Sequence, residues 1–368
     1  MKLRSILLLL LLFSAANASA AFGQAAQASN DPLYALPTSD VVGFMDLKRI
    51  VTEIVPRVLA RDPATLLKLT SAVNEVKTKT GLNILSIDRV AAGLQFVGPA
   101  THQMKKENLG LVIIIHGDID ADAFLSAVKR ETKGKVLEES YGGKTIHREP
   151  PPAPPSKKSE RELAAFTILD ANTLVVGDLP QVRATIDAAS GKGRADSALV
   201  QLAARDSNAL IGLAGNVPPE LIKDIQSGAS NDPKEQAISK LIANIKQLFI
   251  SFGATPENFG VTTGARLGTP EQAQSLSDML LGLRQQFSAE VTDQQFRDLL
   301  NSVQITATGD EVEMKAAIKT EVVQDLAASM IKENQPAPPT AKRNPPTTAA
   351  PKTKPKTTRR KRSRHKRH

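Results

Sequence analysis

Hydrophobic and polar residues alternate along the chain with two different periods: segments with a period of two residues are followed by segments with apolar residues three or four positions apart. The two-residue period is clearest near the C-terminus, where residues 303–308 alternate apolar and polar side chains, Gly309-Asp310 follows, and residues 312–318 alternate again. Such a pattern predicts a β-hairpin. Apolar residues three or four positions apart, as over residues 47–59, instead predict amphipathic helices between the strands.

The predicted elements occur twice in the same order, which indicates an internal duplication. Each unit has a strand, helices, two strands, a helix, two more strands and a helix. The strands are predicted over 41–46, 89–97, 109–117, 163–169 and 173–177, and again over 209–214, 247–253, 261–267, 303–308 and 312–318. One-sided strands and amphipathic helices predict an α+β fold of two tandem, weakly similar units, each an antiparallel sheet covered by helices.

Several helix ends follow from capping residues. Asp62-Pro63 predicts the start of a helix that stops at Gly81, and Asp120 predicts the cap of a helix over 121–131. Proline at position 56 predicts a kink in the helix over 47–59. The final helix is predicted to have one apolar face, formed by Val322, Val323, Leu326 and Met330.

The first unit alone contains an extra hairpin over 135–149, with its turn at Gly142-Gly143, and then a proline-rich loop over 150–160. Polyproline favours an extended, solvated conformation. The loop could dock a proline-reading partner, but a stiff spacer between strands is the commoner use of such a composition.

The N-terminus predicts export. Lys2 and Arg4 precede an apolar run over 6–13 and the small residues Ala18-Ser19-Ala20, which is the pattern of a cleaved signal peptide over 1–20. An uncleaved anchor is the alternative, but eight apolar residues fall short of the roughly 20 that a spanning helix needs. No later stretch is long and apolar enough to span a bilayer, and the chain has no cysteine for disulfides or lipid attachment.

These features divide the chain into five parts. We expect a signal peptide, a flexible segment, two α+β units and a disordered basic tail, over residues 1–20, 21–35, 36–204, 205–333 and 334–368. The expected location is the periplasm, the cell envelope or the extracellular space.

The charge of the chain is concentrated in that tail. Residues 336–368 contain twelve Lys or Arg and no Asp or Glu, whereas the rest of the chain has 35 basic and 38 acidic residues. A run of cations outside a core binds polyanions through counterion release. The candidate polyanion-binding residues are Lys352, Lys354, Lys356, Arg359, Arg360, Lys361, Arg362, Arg364, Lys366 and Arg367.

Export restricts the partners of this tail to anionic lipid surfaces, acidic envelope polymers such as polysaccharide, and extracellular nucleic acid. A freely solvated tail without a dedicated ligand stays open as the alternative. The sequence names no protein partner.

Three sequence patterns resemble functional motifs but lack residues or a context that the motifs require. Gly142-Gly143-Lys144-Thr145 resembles the end of a phosphate loop, but the leading position is Glu138 and the context is a hairpin. Alternate aspartates at 118, 120 and 122 resemble a calcium loop, but Ala123 and Lys129 occupy the positions that need glycine and glutamate. His116 ends a strand close to Asp118, where a solvated histidine is commoner than a metal ligand or general base.

No catalytic residue, metal ligand or cofactor site is therefore predicted, and the chain lacks the usual nucleophile and zinc motifs. It also has no tryptophan and two tyrosines, which is unfavourable for carbohydrate or single-strand stacking platforms. Two functions remain: a non-enzymatic binding or structural protein of the envelope, tethered by its tail, or a secreted hydrolase with a dispersed active site. Paired carboxylates of a glycosidase meet only in space and leave no local motif.

The body also resembles a group of exported bacterial proteins with a duplicated domain of unknown function. The resemblance is carried by Leu36-Pro37-Thr38-Ser39-Asp40, by Gly117-Asp118-Ile119-Asp120, and by the stretch from Ala165-Phe166 to Gly177-Asp178. It implies the duplicated α+β fold, and it transfers neither an activity nor a functional residue.

Overall fold

The described part of the chain forms one large antiparallel sheet. The computed structural model describes residues 31–97, 108–150, 164–227, 233–292 and 294–333. The predicted signal peptide, most of the proline-rich loop and the basic tail lie outside these residues. The strands are β1 (Val41–Met45), β2 (Ile87–Phe96), β3 (Leu109–Gly117), β4 (Leu137–Tyr141), β5 (Lys144–Arg148), β6 (Ala164–Asp170), β7 (Thr173–Asp178), β8 (Ala209–Asn216), β9 (Gln247–Ala254), β10 (Asn258–Arg266), β11 (Gln304–Thr308) and β12 (Glu311–Lys319).

Helices fill the connections between strands. They are α1 (Leu47–Arg49), α2 (Val55–Val58), α3 (Pro63–Thr80), α4 (Ala121–Glu131), α5 (Leu179–Ala189), α6 (Ser197–Ala203), α7 (Pro219–Ser227), α8 (Pro233–Ile242), α9 (Pro270–Glu290), α10 (Gln294–Ser302) and α11 (Thr320–Glu333). A π-helix, Ile50–Ile54, joins α1 to α2, and short 3-10 helices cover Pro32–Ala35 and Ile84–Ser86. The predicted α+β class is therefore confirmed.

The two halves of the sheet meet at the antiparallel pair of β1 and β8, in which Gly43 lies opposite Leu213. The strand order is β11-β12-β10-β9-β8-β1-β2-β3-β7-β6-β5-β4. Counted outward from this pair, the strands of the two halves occur in the same spatial order, β1-β2-β3-β7-β6 in one half and β8-β9-β10-β12-β11 in the other. The hairpin β4–β5 extends the edge of the first half. The two predicted units thus contribute to one continuous sheet, and the domain boundaries between them stay a prediction.

The two faces of the sheet are covered by different helices. On one face, called face A, Val42 and Ile114 belong to an apolar cluster with α5 and α6. On the opposite face, face B, Ile115 and Leu174 pack in a cluster with α3 and α4. In the second half of the chain, face B is covered by α9 near one end of the strands and by α11 near the other.

The helices that follow the last strand of each half, α5 after β7 and α11 after β12, lie on different faces. After β7, α5 returns over face A, where its Val182 and Ile186 are buried with Val42. After β12, α11 instead lies on face B, where its Val323 is buried with Phe259. Face A of the outer strands β10 and β12 consequently carries polar side chains in place of an apolar seam.

Most predicted boundaries agree with the structure because they rest on local backbone chemistry. The Asp62 carboxylate accepts a hydrogen bond from the Thr65 N–H at 3.0 Å, and α3 ends at Gly81 with a φ of 75°. Strand β3 and helix α4 have the predicted limits. At Pro56 the helix widens into the preceding π-helix, because proline offers no N–H to continue the α-helical ladder.

Two short helices were not predicted. Helix α6 has seven residues and α10 has nine. Both are short enough that packing on the sheet, more than local propensity, decides whether they form.

Gly212→Ala is expected to destabilise the central strand pair. A Cβ at this position would lie 2.2 Å from the carbonyl oxygen of Ala203 and 2.5 Å from Cε1 of Phe44. Because neither the backbone nor the packed ring can withdraw freely, we expect a loss of about 1–3 kcal/mol in the free energy of unfolding. Urea unfolding followed by circular dichroism measures it.

The matched control is Gly282→Ala in α9, where an added Cβ meets no described atom within 4 Å. Removing a glycine from a helix should stabilise by about 0.5–1 kcal/mol. Equal stabilities for Gly212→Ala and the wild type would contradict the close approach at the centre of the sheet.

Candidate functional site

The candidate tail residues, from Lys352 to Arg367, lie outside the described residues. The described chain ends with α11, whose last residue is Glu333; the first cations after it are Lys342 and Arg343, and the ten candidate residues begin at Lys352. The geometry of α11 therefore determines where the tail leaves the body.

Helix α11 has an apolar face that the sheet covers only in part. Val323 is 3% exposed against Phe259, whereas Val322 and Leu326 are 49% and 53% exposed. Val322, Val323 and Leu326 lie within about 100° of one another around the helix axis, so they do share one face, as predicted. The sheet covers this face only at Val323, and the sequence does not show how much of an apolar face is covered.

Polar contacts fix α11 to the first half of the chain. Asp325 forms an ion pair with Arg61, and the Gln324 side-chain amide donates a hydrogen bond to the Arg57 carbonyl at 2.8 Å. These contacts connect the last helix to the segment around α2, far away in sequence. The exposed pair is thus held at a defined place on face B.

The groups that imitated catalytic motifs have structural partners. Nδ1 of His116 lies 3.3 Å from the Thr173 hydroxyl. The Asp120 carboxylate accepts a hydrogen bond from the Ala123 N–H at 2.8 Å and caps α4, as predicted. Nζ of Lys144 donates to the Leu169 carbonyl at 2.5 Å, in the hairpin after Gly143. Within the described ranges, no group of three or more His, Asp or Glu side chains is arranged to hold a metal ion.

A second histidine, His147, is largely buried, with a side chain that is 12% exposed. Its ring stacks on Phe166 with centroids 4.8 Å apart, and its Nδ1 lies 3.5 Å from the Glu138 carboxylate without hydrogen-bond geometry. Burial lowers the pKa of His147 below its ordinary value of 6.5; Glu138 opposes this shift and Lys129 adds to it. This burial favours the neutral form of the ring.

The polar part of face A contains a network around Glu311. Arg266 donates two hydrogen bonds to one carboxylate oxygen at 2.5 and 3.1 Å, and Arg205 donates to the other at 2.8 Å. Arg205 also lies 3.5 Å from Glu313, which pairs with Lys315 at 2.6 Å. Burial raises the pKa of Glu311, but the hydrogen bonds and charges of the two arginines outweigh it and leave this pKa below 4.5.

Two arginines of face A lie on phenylalanine rings that in turn lie over glycines. The guanidinium of Arg205 is 4.3 Å from the centre of the Phe249 ring, and a Cβ at Gly264 would meet that ring at 2.3 Å. Arg89 lies 3.7 Å from the Phe44 ring in the same way. Only glycine leaves room for these rings flat on the sheet, and each ring then supports a cation. Both stacks are internal to the fold, since Arg89 is paired with Asp31.

Within the described part of the chain, none of the helices combines the length and apolar composition required to cross a bilayer.

Comparison with known proteins identifies no family for this chain. No family model matches the chain, and no curated protein matches it in sequence. Three crystal forms of TP0453, forms I, III and IV, are similar at 10% sequence identity with TM-scores of 0.39, 0.40 and 0.40. The match covers 82% of this chain and 98–100% of the TP0453 chains. A similarity at this level carries no argument about function.

His147→Phe is expected to reduce the loss of stability in mild acid. A pKa that is lower in the folded state means that the unfolded chain binds the proton more tightly, so the wild type loses stability as the pH falls below about 6.5. The variant should show a smaller difference in the free energy of unfolding between neutral and mildly acidic buffer. His116→Asn, which keeps His147, serves as the control, and an unchanged pH dependence in His147→Phe would contradict the burial of a neutral ring.

Glu311→Gln is expected to cost about 1–3 kcal/mol of stability near neutral pH, because Arg205 and Arg266 lose the charge between them. A lowered pKa means that the carboxylate stabilises the fold above about pH 4.5 and loses this contribution in more acidic solution. The difference between wild type and variant should therefore shrink in acid. Glu257→Gln at an exposed position is the control, and equal effects of the two substitutions in urea unfolding would contradict the network.

Proposed function

We propose that this chain is an exported, non-enzymatic binding protein of the cell envelope, whose basic tail holds it at a polyanionic surface. The observation that carries the proposal is the separation of charge: twelve cations and no carboxylate over residues 336–368, against a slight acidic excess in the rest of the chain. A tail of this composition gives electrostatic affinity without selectivity for a sequence or a shape.

Several arginines of the body are already paired with carboxylates, which supports assigning polyanion binding to the tail. Glu311 is shared by Arg205 and Arg266, and Glu139 by Arg183 and Arg148, at distances between 2.5 and 3.2 Å. Guanidinium groups engaged in this way are held by the fold, and a polyanion would have to displace their carboxylates. The tail has no carboxylate of its own, so its ten clustered cations from Lys352 to Arg367 are the groups we assign to binding.

The location at the envelope follows from the predicted signal peptide over residues 1–20. Outside the cytoplasm the abundant polyanions are lipid headgroups, acidic polymers and extracellular nucleic acid. The tail attracts all three by the same physics, and binding to any of them should weaken steeply with salt because condensed counterions are released.

The proposal is tested by replacing the ten clustered cations with glutamine, which keeps the length of the tail. Wild-type protein without its signal peptide should bind heparin, and the affinity should fall about a thousandfold between about 50 and 200 mM salt if six or more charges are engaged. The neutral-tail variant should elute from heparin at low salt. Both proteins should melt at the same temperature by circular dichroism.

Retention of the neutral-tail variant on heparin at the salt concentration of the wild type would overturn the proposal. The control exchanges two cations of the body, Lys48 and Lys129, for glutamine. Their side chains are half exposed and pair with Asp88 and Glu138, so this variant should elute like the wild type.

A further inference from the structure

We propose that the outer edge of β11 is an interface between two copies of this chain, which pair their β11 strands antiparallel about a two-fold axis at Thr306. The proposal is carried by the uncharged sequence of this edge strand together with the backbone groups that it directs outward. It does not depend on the basic tail, and it therefore stands or falls separately from the proposed function.

The hydrogen bonds at the two ends of β12 show which way its residues point. The Asp310 carbonyl, just before β12, accepts a hydrogen bond from the Leu267 N–H at 2.8 Å. The Thr320 N–H, just after β12, donates to the Glu257 carbonyl at 3.0 Å. Both bonds are on the side of β10. Because backbone groups alternate between the two sides of a strand, the even-numbered residues of β12 bond to β10 and the odd-numbered ones bond to β11.

The same alternation turns two residues of β11 outward. Thr306 and Thr308 lie opposite odd-numbered residues of β12, so their N–H and C=O groups are used within the sheet. Ile305 and Ala307 therefore direct theirs away from it. Strand β11 is the last strand of the sheet, and none of the hydrogen bonds among the described residues reaches these four outward groups.

Strand β11 lacks the features by which edge strands usually avoid pairing. Its sequence over 304–308, Gln-Ile-Thr-Ala-Thr, has no charge and no proline, and its isoleucine and threonines favour extended backbone. Charged side chains and proline are the usual protection of an edge. The opposite edge strand, β4, carries Glu138 and Glu139, so pairing with its own copy would bring like charges together. Of the two edges, β11 is thus the one open to strand addition.

The strand is complementary to an antiparallel copy of itself. All five residues pair only if the axis passes through Thr306, the middle residue. Ile305 of each copy then lies opposite Ala307 of the other, and their outward groups form four hydrogen bonds. A register shifted towards the start of β11 would need the Val303 carbonyl, which already accepts a hydrogen bond from Arg284 at 2.6 Å.

Both faces of the sheet continue across this axis. The two Thr306 side chains meet on face A, where Thr306 lies opposite Glu313 of β12, and threonine pairs are favourable across neighbouring strands. On face B, Ile305 and Ala307 belong to the apolar cluster under α9, which the second copy extends. The contact uses the same edge in both copies, so it closes at a dimer and leaves the charged β4 edges outermost.

Single cysteines test the register directly, because the chain contains no cysteine. In Thr306→Cys the two sulfurs of a dimer lie on a non-hydrogen-bonded pair with Cα atoms about 4.5 Å apart, which a disulfide can bridge. The matched control is Thr308→Cys, an exposed position on the same side of β11. Its copy would lie four residues, or about 13 Å, further along the partner strand.

With oxidised glutathione, Thr306→Cys should form a covalent dimer about tenfold faster than Thr308→Cys on non-reducing gels. In urea the two rates should become equal, because the register is lost. Equal rates of the two folded variants would show random collision and would overturn the proposal.

The second measurement is sedimentation of the chain without its signal peptide at about 100 μM, where the wild type should be a dimer. Thr306→Lys puts two cations opposite each other at the axis and should sediment as a monomer. Ser140→Lys, the control, makes a matching change at an exposed position of β4 and should remain a dimer. Circular dichroism checks that both variants are folded.

A monomeric wild type would leave this edge to a strand of another protein and would overturn the self-pairing. A dimer that Ser140→Lys disrupts and Thr306→Lys leaves intact would assign the contact to β4, with the same consequence. Neither result bears on the retention of the basic tail on heparin, so the two proposals are tested separately.

Discussion

The structure depends on the antiparallel pairing of β1 with β8. Five residue pairs connect the two strands, and backbone hydrogen bonds at Asp46 and Asn216 extend the ladder beyond both ends. Without this pair each half of the sheet would expose an open edge of unpaired N–H and C=O groups. Gly43 and Gly212 make the pairing possible, because Leu213 lies over the first and the Phe44 ring over the second.

The two halves of the sheet are covered by helices on different faces, and this leaves one face of the second half polar. Since α5 covers face A and α11 covers face B, the outer strands of the second half keep a polar face, on which Arg205, Glu311 and Arg266 satisfy one another. The same choice of face puts α11 on face B, where the sheet buries Val323 and leaves Val322 and Leu326 about half exposed.

Sequence patterns predicted helix ends correctly where the capping residue and one turn of backbone determine the end. Asp62 and Asp120 accept hydrogen bonds from the first turns of their helices, and Gly81 adopts the left-handed conformation that ends one. Helices α6 and α10 escaped prediction because short segments depend on the surface they pack against. The last helix and its apolar face were correctly predicted, but the exposure of Val322 and Leu326 was not, because periodicity indicates that a face is apolar and not that a partner covers all of it.

The amino-acid sequence by itself determined the α+β class, the limits of most elements and the expectation of an exported chain with a basic tail, since each depends on neighbouring residues or on composition. Only the tertiary structure decided that twelve strands form one sheet, that the two final helices lie on opposite faces, and that Val323 is buried while Val322 and Leu326 are exposed. These outcomes depend on contacts between residues far apart in the chain, which no local pattern records.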